Sequence, residues 1–162
     1  MNEWIINSIG TISTPWKSID NMPIQPLGAE AVKGTIKIFD EYLAGLAALE
    51  GFSHITLLYK LHKITDYELT VIPFMDKSPK GIFATRSPKR PNAIGISTVE
   101  LLKIEGNLLH FSGADMLNGT PLLDIKPFFE KFDNRFNTRQ GWLEGRDEND
   151  IRKTKSDDRF KM

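Results

Sequence analysis

From Phe52 to His62 the side chains alternate. Ile55, Leu57, Tyr59 and Leu61 fall on one side of an extended chain and His54, Thr56, Lys60 and His62 on the other, with Leu58 the exception. A period of two fits a strand with one buried face. Similar segments recur between turn signals. They are Trp4 to Ser13, stopped by Pro15; Val32 to Phe39; Tyr67 to Met75, closed by the turn Asp76 to Gly81; Gly81 to Thr85; and Ile94 to Ile104 with Leu108 to Ala114, around a hairpin turn at Glu105-Gly106-Asn107. Strands at such regular spacing predict a sandwich or a barrel, and a barrel leaves no open edge. The expected fold is mainly β: a single closed β-barrel with one or two short helices and a charged C-terminal tail. One segment reads as a helix. It runs from an Asp40 N-cap to about Glu50, with Leu43, Leu46, Ala47 and Glu50 at helical spacing and Gly51 at its end, and it is expected to cover one end of the sheet.

At 162 residues the chain makes one domain. The barrel is expected over residues 1–143, and Gly141-Trp142-Leu143 is its expected anchor. Phe128 to Phe136 is expected to pack along it. In the tail, 144–162, twelve of nineteen residues are charged, which predicts a solvated or partner-dependent segment, with Arg159-Phe160 able to dock. The absence of cysteine excludes disulfides, thiolate nucleophiles and Cys-ligated zinc. His54 and His62 lie roughly 26 Å apart along one strand, so they cannot share a metal, and none is expected. His110, between Leu109 and Phe111, reads as a packed or edge-exposed strand residue. No apolar run reaches the ~20 residues that span a bilayer, and Met1 to Trp4 lacks the basic start of a signal peptide; the expected location is cytoplasmic.

The stretch Gly81 to Ser97, GIFATRSPKRPNAIGIS, is dense in residues that restrict the backbone or carry charge. Pro88 and Pro91 fix their own φ and push Ser87 and Arg90 toward extended conformations. The loop is thereby rigid and is expected to present Arg86, Lys89 and Arg90 together. A guanidinium at Arg86 suits bidentate binding of a carboxylate or phosphate. Twenty-one basic and twenty-one acidic residues cancel over the chain, so any nucleic-acid attraction must be local. From Lys77 to Arg90 five basic residues occur without an acid. On residues alone, this patch reads either as a phosphate-contacting rim or as an ordinary solvated connection between strands. No βαβ rhythm and no G-x-G-x-x-G occurs, so a dinucleotide-type fold is not expected.

Three ordered segments resemble one family. Ala84 to Ser97 (ATRSPKRPNAIGIS), Asp115 to Pro127 (DMLNGTPLLDIKP), and Gly51 to Ile55 with Leu61-His62 are together similar to the TsaA-like, or TrmO, family of tRNA methyltransferases. The resemblance implies a barrel that binds S-adenosylmethionine and methylates the exocyclic nitrogen of threonylcarbamoyl-adenosine at position 37 of tRNA. It implies cofactor contacts from Pro23, Ile24, Gln25, His62, Lys63, Arg86, Ile96, Leu117, Asn118, Gly119 and Thr120. Asn118-Gly119-Thr120-Pro121 reads as a tight turn whose backbone amides and carbonyls meet the cofactor, glycine permitting positive φ and close approach. Asp115 or His62 is the candidate proton acceptor, and Lys77, Lys80, Lys89 and Arg90 are the candidate RNA contacts. Asp124 and Lys126 are an expected ion pair that shapes their loop. A homodimer joining two basic loops into one tRNA surface is the expected assembly. The chain departs from the family at Ile24, commonly arginine; at Asn118, usually an acid; and at Phe128, usually tyrosine. It is also too short for the C-terminal domain of the bacterial relatives. Two other readings stand beside this one: a small-molecule methyltransferase, and a noncatalytic module that binds the cofactor.

Overall fold

The structure, a computed structural model, describes residues 3–158. Six antiparallel strands close a barrel: β1 (Gly10–Ser13), β2 (Lys33–Ile38), β3 (His54–Lys60), β6 (Ile94–Glu105), β7 (Leu108–Ser112) and β8 (Thr120–Pro127), in the order β1-β2-β7-β6-β3-β8. Two further short strands, β4 (Thr70–Val71) and β5 (Lys80–Gly81), pair outside it over a small cluster of Val71, Ile82 and Phe74. The alternation read from β3 holds, since Ile55, Leu57 and Tyr59 point inward and are buried. They meet Ile12, Ile36, Ile38, Val99, Leu109, Phe111 and Leu122 from the other strands, closed off by Ala114 and Met116 of the β7–β8 connection. Burial of side chains of this size contributes about 1.5–3 kcal/mol each, which fixes which face of each strand turns inward.

Two glycines make room for the barrel's largest side chains. Gly95 is the cross-strand partner of Tyr59 and Gly34 that of Phe111. A Cβ at Gly95 would lie 2.3 Å from the Tyr59 ring, and one at Gly34 would lie 2.5 Å from that of Phe111. Each ring lies across the backbone opposite it.

Several segments differ from the sequence reading. The first strand begins at Gly10, not Trp4; Trp4 and Ile5 are 86% and 90% exposed, because the chain meets its neighbours Leu122 and Phe39 first at Ile9 and the ladder with β2 and β8 starts at Gly10. Tyr67 to Met75 contributes only Thr70–Val71, and Gly81 to Thr85 leaves β5 at once for a 3-10 turn over Ile82–Ala84. The expected α-helix at 40–50 is two 3-10 turns, Asp40–Leu46 and Leu49–Gly51, interrupted by Ala48 at φ +65°. A left-handed residue breaks the i→i−4 ladder, so the apolar positions cannot form one continuous stripe. Leu46 and Leu49 still pack on the core, as a cover for one end requires.

The strand β8 is an element the sequence reading lacked. The Asp124–Lys126 ion pair exists at 2.9 Å, but along one face of this strand and not in a loop. Phe132 and Phe136, expected along the barrel, are 71% and 82% exposed. Trp142 does anchor, its indole N–H donating to Ala84 O at 2.7 Å. Beyond it, most described residues of the charged tail are exposed, as a solvated segment would be, but the tail also returns to the 19–30 loop. A short helix (Glu148–Lys153) packs on Pro26–Gly28, Lys155 bridges to Pro23, and Arg152 pairs with Glu30 at 2.8 Å. The Ser156 hydroxyl accepts from Met22 N–H and bonds Ile19 O. Arg159-Phe160 lies outside the described residues. No helix among the described residues is long and apolar enough to cross a membrane.

Candidate functional site

The site is built around the connection from β7 to β8, residues 113–120. Two chain reversals give it shape, at Gly113 (φ +99°) and Gly119 (φ +78°). At Gly119 an added Cβ would meet nothing, so the positive φ and not close packing demands glycine there. The connection is laced to the end of β1. Trp16 Nε1–H donates to Ala114 O at 2.7 Å, Thr14 Oγ1 to Met116 O at 2.8 Å, and Thr14 N–H to Asn118 Oδ1 at 3.1 Å. In return Asn118 N–H donates to Trp16 O and Gly119 N–H to Ile12 O. Those two amides, expected from sequence to face the cofactor, are therefore committed to the framework. Asn118 uses its side chain as an acceptor, a task that amide and carboxylate perform alike.

This frame holds Asp115 with 8% of its surface exposed. Ser97 Oγ donates to Asp115 Oδ1 at 2.7 Å, and the Tyr59 hydroxyl lies 2.9 Å from Ser97 Oγ. Burial raises the Asp115 carboxyl to about 7, with the Ser97 hydrogen bond, its own backbone N–H and the charge of Arg86 acting the other way. Burial likewise pushes the Tyr59 phenol far up, so it stays protonated. Arg86 is itself exposed, and its charge reaches both Asp115 and Tyr59.

On the other side of the connection, Thr120 Oγ1 donates to Leu117 O at 2.7 Å and sits 3.3 Å from His62 Nδ1. The hydroxyl's one proton is spent on Leu117, so His62 Nδ1 is the donor and Nε2 of the neutral ring carries the lone pair. Burial, then the neighbouring Lys63 charge, lowers the His62 pKa. Pro23 is fully buried, Ile24 and Gln25 are half-buried, and Pro26 lies across Gly113, 3.5 Å from where its Cβ would stand. The structure thus brings His62, Arg86, Asp115 and Leu117–Thr120 to one connection, with Pro26, the residue after the Pro23–Gln25 loop, against Gly113. Ile96 is apart: it faces outward, 48% exposed, on the opposite side of β6 from Ser97.

The basic loop does not present its cations as one set. Lys89 pairs with Glu68 at 2.6 Å and approaches Asp66 at 3.9 Å; Lys80 pairs with Asp76 at 3.1 Å. Arg90 folds back to donate to Ile82 O and Thr85 O, with its guanidinium 6.0 Å from the Phe83 ring centre. Acids beyond the counted window supply the partners. Lys77 is exposed. His110 Nε2 lies 2.9 Å from Glu105, away from the connection. No cluster of three or more potential metal-ligating side chains occurs among the described residues.

Tyr59, Ser97, Thr14 and Trp16 had no functional reading from sequence. The available signals were a phenol on an inward strand face and a serine ending the most constrained stretch, both of which need a partner once buried.

Comparison with known proteins bears on this geometry. Residues 11–134 match the model of the tRNA-methyltransferase O N-terminal domain. A probable S-adenosyl-L-methionine-binding protein of Pyrococcus abyssi is 45% identical over 94% of this chain and 82% of its own length. The tRNA (adenine(37)-N6)-methyltransferase of Rattus norvegicus is 37% identical over 78% of this chain, which spans 31% of that protein. A crystal structure of TrmO from Pseudomonas aeruginosa superposes with a TM-score of 0.74 at 34% identity, covering 88% of this chain and 62% of that one. With most of its length matched and its barrel shared, the chain belongs to the tRNA-methyltransferase O N-terminal domain family.

Proposed function

We propose that this protein is an S-adenosylmethionine-dependent methyltransferase acting on the N6 nitrogen of an adenosine in tRNA, and that its acceptor is threonylcarbamoyl-adenosine at position 37. The observation that carries the reading is a buried carboxyl, Asp115, held by the Ser97 hydroxyl within reach of the charge of an exposed guanidinium, Arg86. That donor set suits a cofactor that is itself a zwitterion: Arg86 for its carboxylate, and a carboxylate and carbonyl oxygens for its ammonium and sulfonium charges. Pro23–Gln25, His62–Lys63, Arg86 and Leu117–Thr120 would hold it. The names of the relatives support S-adenosylmethionine binding and methylation of adenine 37 in tRNA; the threonylcarbamoyl acceptor rests on the resemblance of the sequence motifs.

When bound, the cofactor supplies an electrophilic methyl group on a sulfonium that leaves as a neutral thioether. This chain's own residues have two tasks. They hold the acceptor nitrogen in line, which can supply most of the acceleration, and they take its proton. Asp115, titrating near neutrality, takes that proton on its carboxylate; His62 Nε2 is the second acceptor within the site.

A noncatalytic cofactor-binding module is the second reading, favoured by the engagement of Lys80, Lys89 and Arg90 within the chain. Calorimetric titration with S-adenosylmethionine tests the shared half of the two. Saturable binding that weakens about tenfold in Arg86→Ala is expected from loss of a charge-assisted bond. Absence of binding heat overturns both.

A further inference from the structure

We propose that the Tyr59 and Ser97 hydroxyls are positioning residues for Asp115, a two-link chain that aims each O–H toward the carboxyl and so presents it to the acceptor nitrogen as a proton acceptor. The inference rests on the methyltransferase reading above. Its basis is donor arithmetic. An ionised Asp115 only accepts, and Ser97 has a single proton, which lies on the 2.7 Å contact to Oδ1. Ser97 Oγ must then accept at its 2.9 Å contact with Tyr59, so the phenol is the donor. The chain runs one way, Tyr59 to Ser97 to Asp115.

Burial makes the direction matter. Tyr59, Ser97 and Asp115 are 5%, 2% and 8% exposed, so bulk water does not readily replace a lost hydroxyl. A donor aimed at the charged form of a buried carboxyl favours that form, and a second hydroxyl behind it strengthens the first. The groups that act on Asp115 besides Ser97 are Arg86 from the loop before β6, Tyr59 of β3 behind the serine, and its own backbone N–H. Arg86 is exposed and screened, whereas the hydroxyl chain is fixed between β3 and β6, where Tyr59 lies across Gly95. In the reaction the N–H proton passes to Asp115 as the nitrogen lone pair forms its bond to the transferred methyl carbon, whose former bonding pair stays on the cofactor sulfur.

The test is a pH titration of the Asp115 carboxyl carbon by NMR in the whole protein, for wild type, Tyr59→Phe and Ser97→Ala, beside methyl-transfer rates across the same pH range. Removal of the Ser97 hydroxyl is expected to move the midpoint up by about one unit, and of the Tyr59 hydroxyl by less. The rate at pH 7 then falls roughly fivefold in Ser97→Ala and recovers at higher pH. Ser97→Thr, which keeps the hydroxyl, is expected to restore the wild-type midpoint. Unchanged midpoints in both hydroxyl-deleted variants overturn the proposal, as does a rate loss that is the same at every pH. The carboxyl titration needs no turnover, so absence of methyl transfer from the wild type, a failure of the underlying reading, is recorded separately from a failure of the hydroxyl chain.

Discussion

Asp115 occupies a position where stability and chemistry pull apart. Its native carboxyl titrates near 7 against an ordinary value of 3.8, so the folded state binds the proton more tightly than the unfolded chain. Stability from this group is therefore greatest below pH 4 and declines as pH rises toward 7, by on the order of 4 kcal/mol at full ionisation. Asp115→Asn, which keeps an acceptor for Ser97, is expected to flatten that decline. Thermal melts from pH 4.5 to pH 8 should show the variant gaining on the wild type as pH rises, while methyl transfer is lost; parallel curves would contradict the burial argument. Gly95→Ala forces a methyl group against the Tyr59 ring and is expected to cost about 1–3 kcal/mol by denaturant titration. At this scale the sequence was legible in part. The motifs singled out Arg86, Asp115, His62 and Thr120 as candidates, whereas Ser97 and Tyr59 drew no such reading, because the inward alternation of β3 records a phenol only as an apolar ring. The partner of a buried hydroxyl lies 38 residues away on another strand, and spacing along one strand cannot show it.

At the scale of elements, alternation succeeded where strands are covered on one side and failed where a turn signal sits inside a strand. Pro121 is the second residue of β8 and reads as a turn, while Asp124 and Lys126 dilute its pattern; yet the proline is tolerated near the strand's start. Ala48, with no glycine or proline to announce it, takes the left-handed conformation that divides the 40–51 segment. The tail was read by composition as solvated, and charge density cannot report that Ser156, Arg152 and Lys155 meet particular groups on the 19–30 loop. That contact makes the tail a brace for the loop carrying Pro23–Gln25. Ser156→Ala is expected to speed hydrogen exchange at the Met22 amide and to weaken S-adenosylmethionine binding roughly fivefold, the equivalent of one hydrogen bond of about 1 kcal/mol. Unaltered exchange at Met22 would show that the hydroxyl is not what holds the loop.

The whole molecule has no net charge and directs little of its basic loop toward a polyanion. Window counting suggested a free patch because Asp66 and Glu68 lie outside the window, although folding returns them to Lys89. Lys77→Ala is accordingly expected to reduce the salt dependence of tRNA binding by about one ion, and Lys89→Ala to reduce it less, as measured by filter binding over a range of salt. Equal slopes for the two variants would contradict this division. The same shortage of free cations favours a homodimer that joins two loops, for which light scattering at high concentration should report twice the chain's mass. The barrel itself was legible from regular strand spacing, and the family and its cofactor from the resemblance of three motifs rather than from any physical pattern. The most direct measurement is transfer of labelled methyl from S-adenosylmethionine to tRNA with and without the threonylcarbamoyl group. Label in the modified tRNA alone, reduced about tenfold in Arg86→Ala at subsaturating cofactor, is the predicted result; cofactor binding with no label in either tRNA would contradict it.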